Sequence, residues 1–294
     1  MEKKLKKLSK KVNFFLNRYL SKFNSSELIV PMKYGLFPGG KKIRSKIIFD
    51  VGKIFKVKNK DLMSLAASVE AIHAYSLIHD DLPCMDNDNL RRGKASAHIK
   101  FGESTAILAG NSLLTTAFEI LSDKSFKVEN KIKSNLIHFL SRCSGQVGIA
   151  GGQYLDLNYE KKKVSLKKII NMELKKTGKL FEFCCVAPLI IKKNKKKLNS
   201  FSKLGKDIGL LFQIVDDLID FKGKTKSAGK KTKKDYKRGK ATIISLLGYK
   251  NTVKYAEELK QKIFKKLKVY SNTSSGLRET IEFITERSKW NVKI

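Results

Sequence analysis

Two stretches of this chain are apolar on nearly every side of a helix and still carry aspartates. Gln213, Asp216, Asp217 and Asp220 fall within a sector about 100° wide at helical spacing. Leu210, Leu211, Phe212, Ile214, Val215, Leu218 and Ile219 cover the remaining surface. Far upstream, Asp80-Asp81-Leu82-Pro83-Cys84-Met85-Asp86 ends a run in which Ala66, Ala67, Val69, Ile72, Leu77 and Ile78 are apolar, with His73 almost in line with Asp80. A carboxylate in an apolar wall is costly unless a cation neutralises it. Capping or surface acids would have polar flanks, which these lack. Two such helices therefore predict facing acidic stripes that share divalent cations, with Mg²⁺ gripping a diphosphate as the simplest chemistry.

The spacing within the first cluster needs a break. Asp80 and Asp86 would lie on opposite sides of an unbroken helix, but Pro83 disturbs it and lets the chain bring Asp86 back toward Asp80. Mg²⁺ takes octahedral oxygen and keeps waters, so one or two carboxylates per ion plus phosphate oxygens suit it. Ca²⁺ would want a fuller oxygen cage. No His/Cys ligand spacing favours Zn²⁺.

The rest of the sequence reads as an all-α fold: few prolines and long Ala/Leu/Ile/Lys stretches at helical spacing. Helices are expected over about Leu5–Phe23, Asp61–Leu82, Glu103–Leu121, Asn130–Ile149, Leu166–Ile191 with a weak point at Gly178, and Phe201–Phe221. A loop is expected from Pro31 to Gly40 and a Lys/Gly-rich loop, mobile when empty, from Lys222 to Lys240, with helices beyond it. No repeat or linker divides the chain, so residues 1–294 read as one domain. No apolar run approaches membrane-spanning length. The Lys/Leu alternation at the start reads as an amphipathic helix rather than a signal peptide. Cys84, Cys143, Cys184 and Cys185 lack metal spacing and fit a reduced, cytoplasmic setting.

The net charge of +35 invites a nucleic-acid reading. The excess is almost all Lys, scattered over outer helix faces, with no nucleic-acid motif, and fits a general compositional bias. Arg is scarce, which makes Arg44, Arg91 and Arg92 more telling than any lysine. Gly39-Gly40-Lys41-Lys42-Ile43-Arg44 offers close backbone approach plus a Lys and an Arg on one turn, suited to an anion.

Taken in order, these blocks resemble the trans-isoprenyl diphosphate synthases, most closely the short-chain bacterial farnesyl diphosphate synthases. The matching residues include Pro38-Gly39-Gly40-Lys41-Lys42-Ile43-Arg44, Val69 to Pro83, Leu90-Arg91-Arg92-Gly93, Ile107-Leu108-Ala109-Gly110, Gly151-Gly152-Gln153, Lys176-Thr177-Gly178, Phe212 to Asp217, and Gly239-Lys240-Ala241-Thr242. The resemblance implies a single domain of antiparallel helices around a deep central cavity, usually as a homodimer. It implies that Asp80 and Asp86, with Asp216 opposite, hold Mg²⁺ (roughly three ions per site) on an allylic diphosphate, with Asp81, Asp217 and Asp220 ligating or supporting. Arg91 would face that diphosphate. Lys41, Arg44, His73 and Arg92 would hold isopentenyl diphosphate, and Lys176, Thr177, Gln213 and Lys240 would line the reaction centre. It further points to Tyr75 as the stop that limits the product to farnesyl diphosphate, whereas helix phase alone makes Ser76 the nearer pocket wall. Geranyl and geranylgeranyl diphosphate are the alternative products.

The chain departs from the family pattern at Asn87-Asp88-Asn89, at Ser45 and in its lysine-rich stretch before Lys240. Asp216-Asp217-Leu218-Ile219-Asp220 argues against a terpene cyclase, whose second motif mixes Asn, Ser/Thr and Glu. A non-catalytic, basic nucleic-acid-binding protein is the rival from another class, and predicts salt-sensitive binding without prenyl transfer.

Overall fold

The structure, a computed structural model, describes residues 1–222 and 242–287. Among these the regular elements are helices apart from one short ribbon. Helix α1 (Glu2–Leu20) lays Leu5, Val12 and Leu16 against the body. α2 (Ile29–Leu36) and α3 (Ile43–Ile54) lead to α4 (Asn59–Asp80), which packs against α3 and against α6 (Glu103–Ser122). Between α4 and α6 lie the antiparallel strands β1 (Leu90–Arg91) and β2 (Lys94–Ala95) and the short α5 (Ala97–Phe101). α7 (Asn130–Ser144), α8 (Ile149–Tyr159), α9 (Leu166–Glu173) and α10 (Lys179–Ile191) follow. α11 (Leu198–Lys222), α12 (Ile243–Leu267) and α13 (Ser275–Glu286) complete the cage.

Burial explains the layout. In α4 the residues Ala66, Ala67, Val69 and Ile72 have no exposure, so this helix is surrounded, as its all-round apolar pattern requires. α10 and Gly178 just before it cross α11 almost backbone to backbone: a Cβ on Gly209 would lie 2.6 Å from the Gly178 Cα, and one on Gly205 2.6 Å from the Glu182 Cα. The buried side chains form one contiguous apolar cluster that runs from Leu5 to Ile284.

The expected helices recur within a few residues, and the weak point at Gly178 is a π-helical segment, Leu174–Gly178. Two expectations fail. The stretch beginning at Pro31 is not all loop: Pro31 is the third residue of α2, where the amide hydrogen it lacks has no helical partner to lose. The helix expected to reach Ile149 stops at Ser144, turns through Gly145 to Gly148 and restarts as α8, which was not anticipated. The stretch from 223 to 240 lies outside the described residues.

Candidate active site

A cavity of about 330 Å³ opens between the C-terminal end of α4, α8, the π segment and α11, and it collects both acidic clusters. Asp80 is the last residue of α4. Beyond Pro83 the chain coils back on itself, so that the Asp86 amide donates to the Asp80 carbonyl at 2.8 Å and the Asp88 amide to the Asp81 carbonyl at 3.1 Å. Asp80 and Asp86 thus both line the cavity. Gln153 Nε2 donates to Asp80 Oδ1 at 2.5 Å. Burial pushes the Asp80 carboxyl above its usual range; Lys176 opposes this, the charge of Asp86 adds to it, and Gln153 and Arg91 oppose it.

Asp81 turns the other way. It is 2 % exposed, does not line the cavity, and accepts from Arg91 Nε at 3.0 and 3.1 Å as well as from a terminal nitrogen of the same guanidinium. Its place is behind Arg91, which it aims into the cavity. The β1–β2 turn supplies Arg92 and Gly93 at positive φ, 54° and 78°, as a tight two-residue hairpin turn demands. The guanidinium of Arg92 lies where a side chain on Gly40 would be, so that glycine makes room for it.

On the opposite wall Gln213, Asp216, Asp217 and Asp220 share one face of α11, and all four line the cavity. Thr177 Oγ1 donates to Gln213 Oε1 at 3.0 Å, and Gln213 Nε2 donates to Asp217 Oδ1 at 2.9 Å. The π segment turns Thr177 and Lys176 inward together. Lys176 Nζ meets Asp156 at 2.6 Å. Burial works against the Lys176 charge, but Asp156, Asp80 and Asp86 outweigh it and hold the ammonium form well above its ordinary range.

A separate basic corner lies on α3 and α4. Arg44 donates to His73 Nε2 at 3.2 Å, and its guanidinium stacks 4.9 Å from the Phe181 ring centre. Burial, with the charges of Arg44, Arg92 and Lys42, pushes His73 well below its usual range, so the imidazole is neutral. Lys42, in the left-handed region at φ 50°, is buried against Glu70 at 3.3 Å. Lys41 stays exposed at the surface, 4.7 Å over the Phe283 ring, and is not part of the cavity wall. Ser76 lines the cavity; Tyr75 does not, and packs edge-on against His79 at 5.1 Å. Lys240 lies outside the described residues.

Sequence reasoning assigned no role to six polar cavity residues: Asp88, Gln153, Asp156, Glu173, Thr242 and Arg287. Gln153 and Asp156 sit one turn apart on α8, and α8 can seat on the π segment only because Gly152 has no side chain to strike Lys176. Arg287 directly follows α13, 3.1 Å from Asp216 and 5.2 Å over the Phe212 ring. The scarcity of arginine that singled out Arg44 applied equally to Arg287.

The donor set tests which cation would fit. The acidic side chains at the two clusters offer only hard carboxylate oxygens, and burial together with the neighbouring Asp86 disfavours an uncompensated charge on Asp80. Among the described residues no three His, Cys, Asp or Glu form a ready-made cage. Such an arrangement fits an ion that completes its octahedron with water and phosphate oxygens, which is the habit of Mg²⁺.

Comparison with known proteins agrees. The chain is 38 % identical over 288 residues to the farnesyl diphosphate synthase of Escherichia coli K12, covering 95 % of this chain and 96 % of that protein. It is 34 % identical to the geranylgeranyl diphosphate synthase of Cyanophora paradoxa, covering 93 % and 92 %. Among solved structures, the Helicobacter pylori geranyltransferase complexed with magnesium and isoprenyl diphosphate superposes with a TM-score of 0.78 at 29 % identity, covering 94 % of this chain and 95 % of that one. The polyprenyl synthetase profile matches residues 25–276. Helical cage, opposed carboxylates and sequence alike make this chain a member of the polyprenyl synthetase family, with the isoprenoid synthase fold and the prenyltransferase chemistry of its short-chain branch.

Proposed function

We propose that the chain condenses isopentenyl diphosphate head-to-tail with dimethylallyl and then geranyl diphosphate to give farnesyl diphosphate. The observation that supports this most is the division of one cavity into two anion-handling halves: aspartates facing each other from α4 and α11, and a basic corner of Arg44, His73 and Arg92. Asp80, Asp86 and Asp216 would hold Mg²⁺, with Asp217 and Asp220 beside them. When bound, magnesium would supply Lewis-acid neutralisation of the leaving diphosphate.

The chain's own groups do the rest. Arg91, held by Asp81, and the ammonium of Lys176, held by Asp156, meet the departing diphosphate charge. Thr177 donates a hydrogen bond from its hydroxyl to Gln213, so its lone pairs are free to face positive charge developing on the allylic carbon. Phe212, Ile149 and Leu77 shield that carbon from water. Arg44 and Arg92 clamp the diphosphate of isopentenyl diphosphate while neutral His73 accepts from Arg44. The departing diphosphate takes the final proton, so no dedicated base is required. We further assign the chain as a single domain acting as a homodimer in the cytoplasm. The half-exposed Ile107 and Leu108 on α6 offer a face to a second copy. Among the described residues no helix is long and apolar enough to cross a membrane.

The test is to incubate the protein with Mg²⁺, labelled isopentenyl diphosphate and each allylic primer, and to size the products. Farnesyl diphosphate is expected. A shorter or longer main product overturns the product assignment. No prenyl transfer, with salt-sensitive nucleic-acid binding instead, overturns the enzyme assignment.

A further inference from the structure

Helix α1 takes no part in the cavity, yet its outer face is organised. Its inner line is Leu5, Val12 and Leu16, all buried. At about 100° per residue, Phe14 points almost straight away from that line. It is 69 % exposed, more than any other phenylalanine among the described residues. Lys3 and Lys7 lie about 20° to either side of it, and Lys10 and Arg18 about 40°. All four are exposed, and among the described residues none of them has an ion-pair partner. The helix's one acid, Glu2, is about 120° round from Phe14. Folding explains the inner face of α1 but not an aromatic ring standing in water at the centre of a cationic strip.

We propose that this face of α1 docks the protein on an anionic lipid surface. A helix of 19 residues lies flat along about 28 Å of interface. Lysine stems hold their ammonium groups at the depth of headgroup phosphates, while Phe14 enters the acyl boundary below them. Lysine suits this use as a diffuse point charge. Nucleic-acid recognition would favour the arginine fork, and α1 contributes a single arginine to the strip. The inference is independent of which product the cavity makes.

The experiment is co-sedimentation of the full chain with vesicles of phosphatidylcholine, with and without roughly a third phosphatidylglycerol, at low and high salt. Binding is expected only to the anionic vesicles, and it weakens with salt. A basic residue near such a surface contributes about fivefold to partitioning, so the double variant Lys7→Glu/Lys10→Glu loses more than tenfold. Phe14→Ser loses about fivefold without any change of charge. The control Lys195→Glu/Lys196→Glu makes the same change in net charge at exposed positions elsewhere and leaves binding nearly intact. Circular dichroism checks that each variant is folded. The proposal is overturned if the control loses as much as the α1 variant, because diffuse net charge is then responsible. It is also overturned by unchanged binding of Phe14→Ser, by absence of sedimentation, or by tighter, Phe14-dependent capture of single-stranded nucleic acid than of the vesicles.

Discussion

The two acidic walls of the cavity use the same side chain and are built in opposite ways. On α11 an unbroken helix does everything: the period alone puts Gln213, Asp216, Asp217 and Asp220 on one face, and burial of Leu211, Ile214 and Leu218 fixes its rotation. The α4 wall begins where the helix ends. Its geometry depends on a coiled loop, on Gln153 from α8, and on the Asp81–Arg91 pair behind it. A helix places carboxylates through local rules, whereas a loop must borrow its rigidity from neighbours. The α4 wall should therefore be the more sensitive to change, both at its ligands and at its supports.

The largest expected effect is at the ligands themselves. Asp80→Ala should lower the rate of prenyl transfer by about 10²–10³, the size of other electrostatic deletions in closed sites. Asp216→Ala should cost less, because the Asp216 side chain is 37 % exposed and water can replace part of what it offers. Single-turnover rates of the two variants side by side provide the measurement; an equal loss, or undiminished turnover of Asp80→Ala, removes the asymmetry.

Next come the supports. Asp81→Asn leaves the Arg91 guanidinium facing a neutral amide at a site where Asp81 is almost fully buried. Loss of one partner of a buried pair costs about 3–5 kcal/mol, and the 20 % exposure of the Arg91 side chain brings that down to about 2–3 kcal/mol. Denaturant unfolding should report it as a lower midpoint at unchanged slope. Activity should fall as well, although Asp81 does not line the cavity. On the α11 wall Gln213→Leu removes the bridge between Thr177 and Asp217, and should lower the rate only about tenfold, with the fold intact. Should Gln213→Leu prove the more disruptive, the helical wall is not the self-sufficient one.

The same contrast explains what the sequence made legible. Everything set by helical period could be read: the α11 stripe, the all-round apolar α4, the alignment of His73 with Asp80, and even the irregularity at Gly178. The return of Asp86 toward Asp80 could be anticipated because Pro83 gave a local reason for it. What could not be read depended on contacts between distant segments. No helix was expected over α8, where Gly152 lets the backbone touch the π segment, and so Gln153 and Asp156 received no role. Lys41 and Lys42 are neighbours in sequence, and only the fold sends one against Glu70 and leaves the other near Arg287 at the surface. Arg287 meets Asp216 across a gap that no periodicity spans.

The smallest expected effect on rate is at the far end of the α4 wall, where helix phase and family resemblance disagree. Ser76 lines the cavity, as its phase requires, while Tyr75 packs on His79 outside it. If Tyr75 limits the product, it does so as the wall behind a cavity that deepens when a longer chain grows toward α6. Tyr75→Ala should then leave the first condensation within a few-fold of the parent, because no diphosphate contact changes, yet shift the products beyond farnesyl length. Ser76→Phe, which intrudes on the cavity directly, should shift them toward geranyl diphosphate. Chromatographic sizing of labelled products from both variants separates the possibilities. Longer products from Tyr75→Ala place the stop behind the lining. An unchanged distribution there, with shortening by Ser76→Phe, puts it on the lining itself, where the helix phase of α4 had placed the nearer wall.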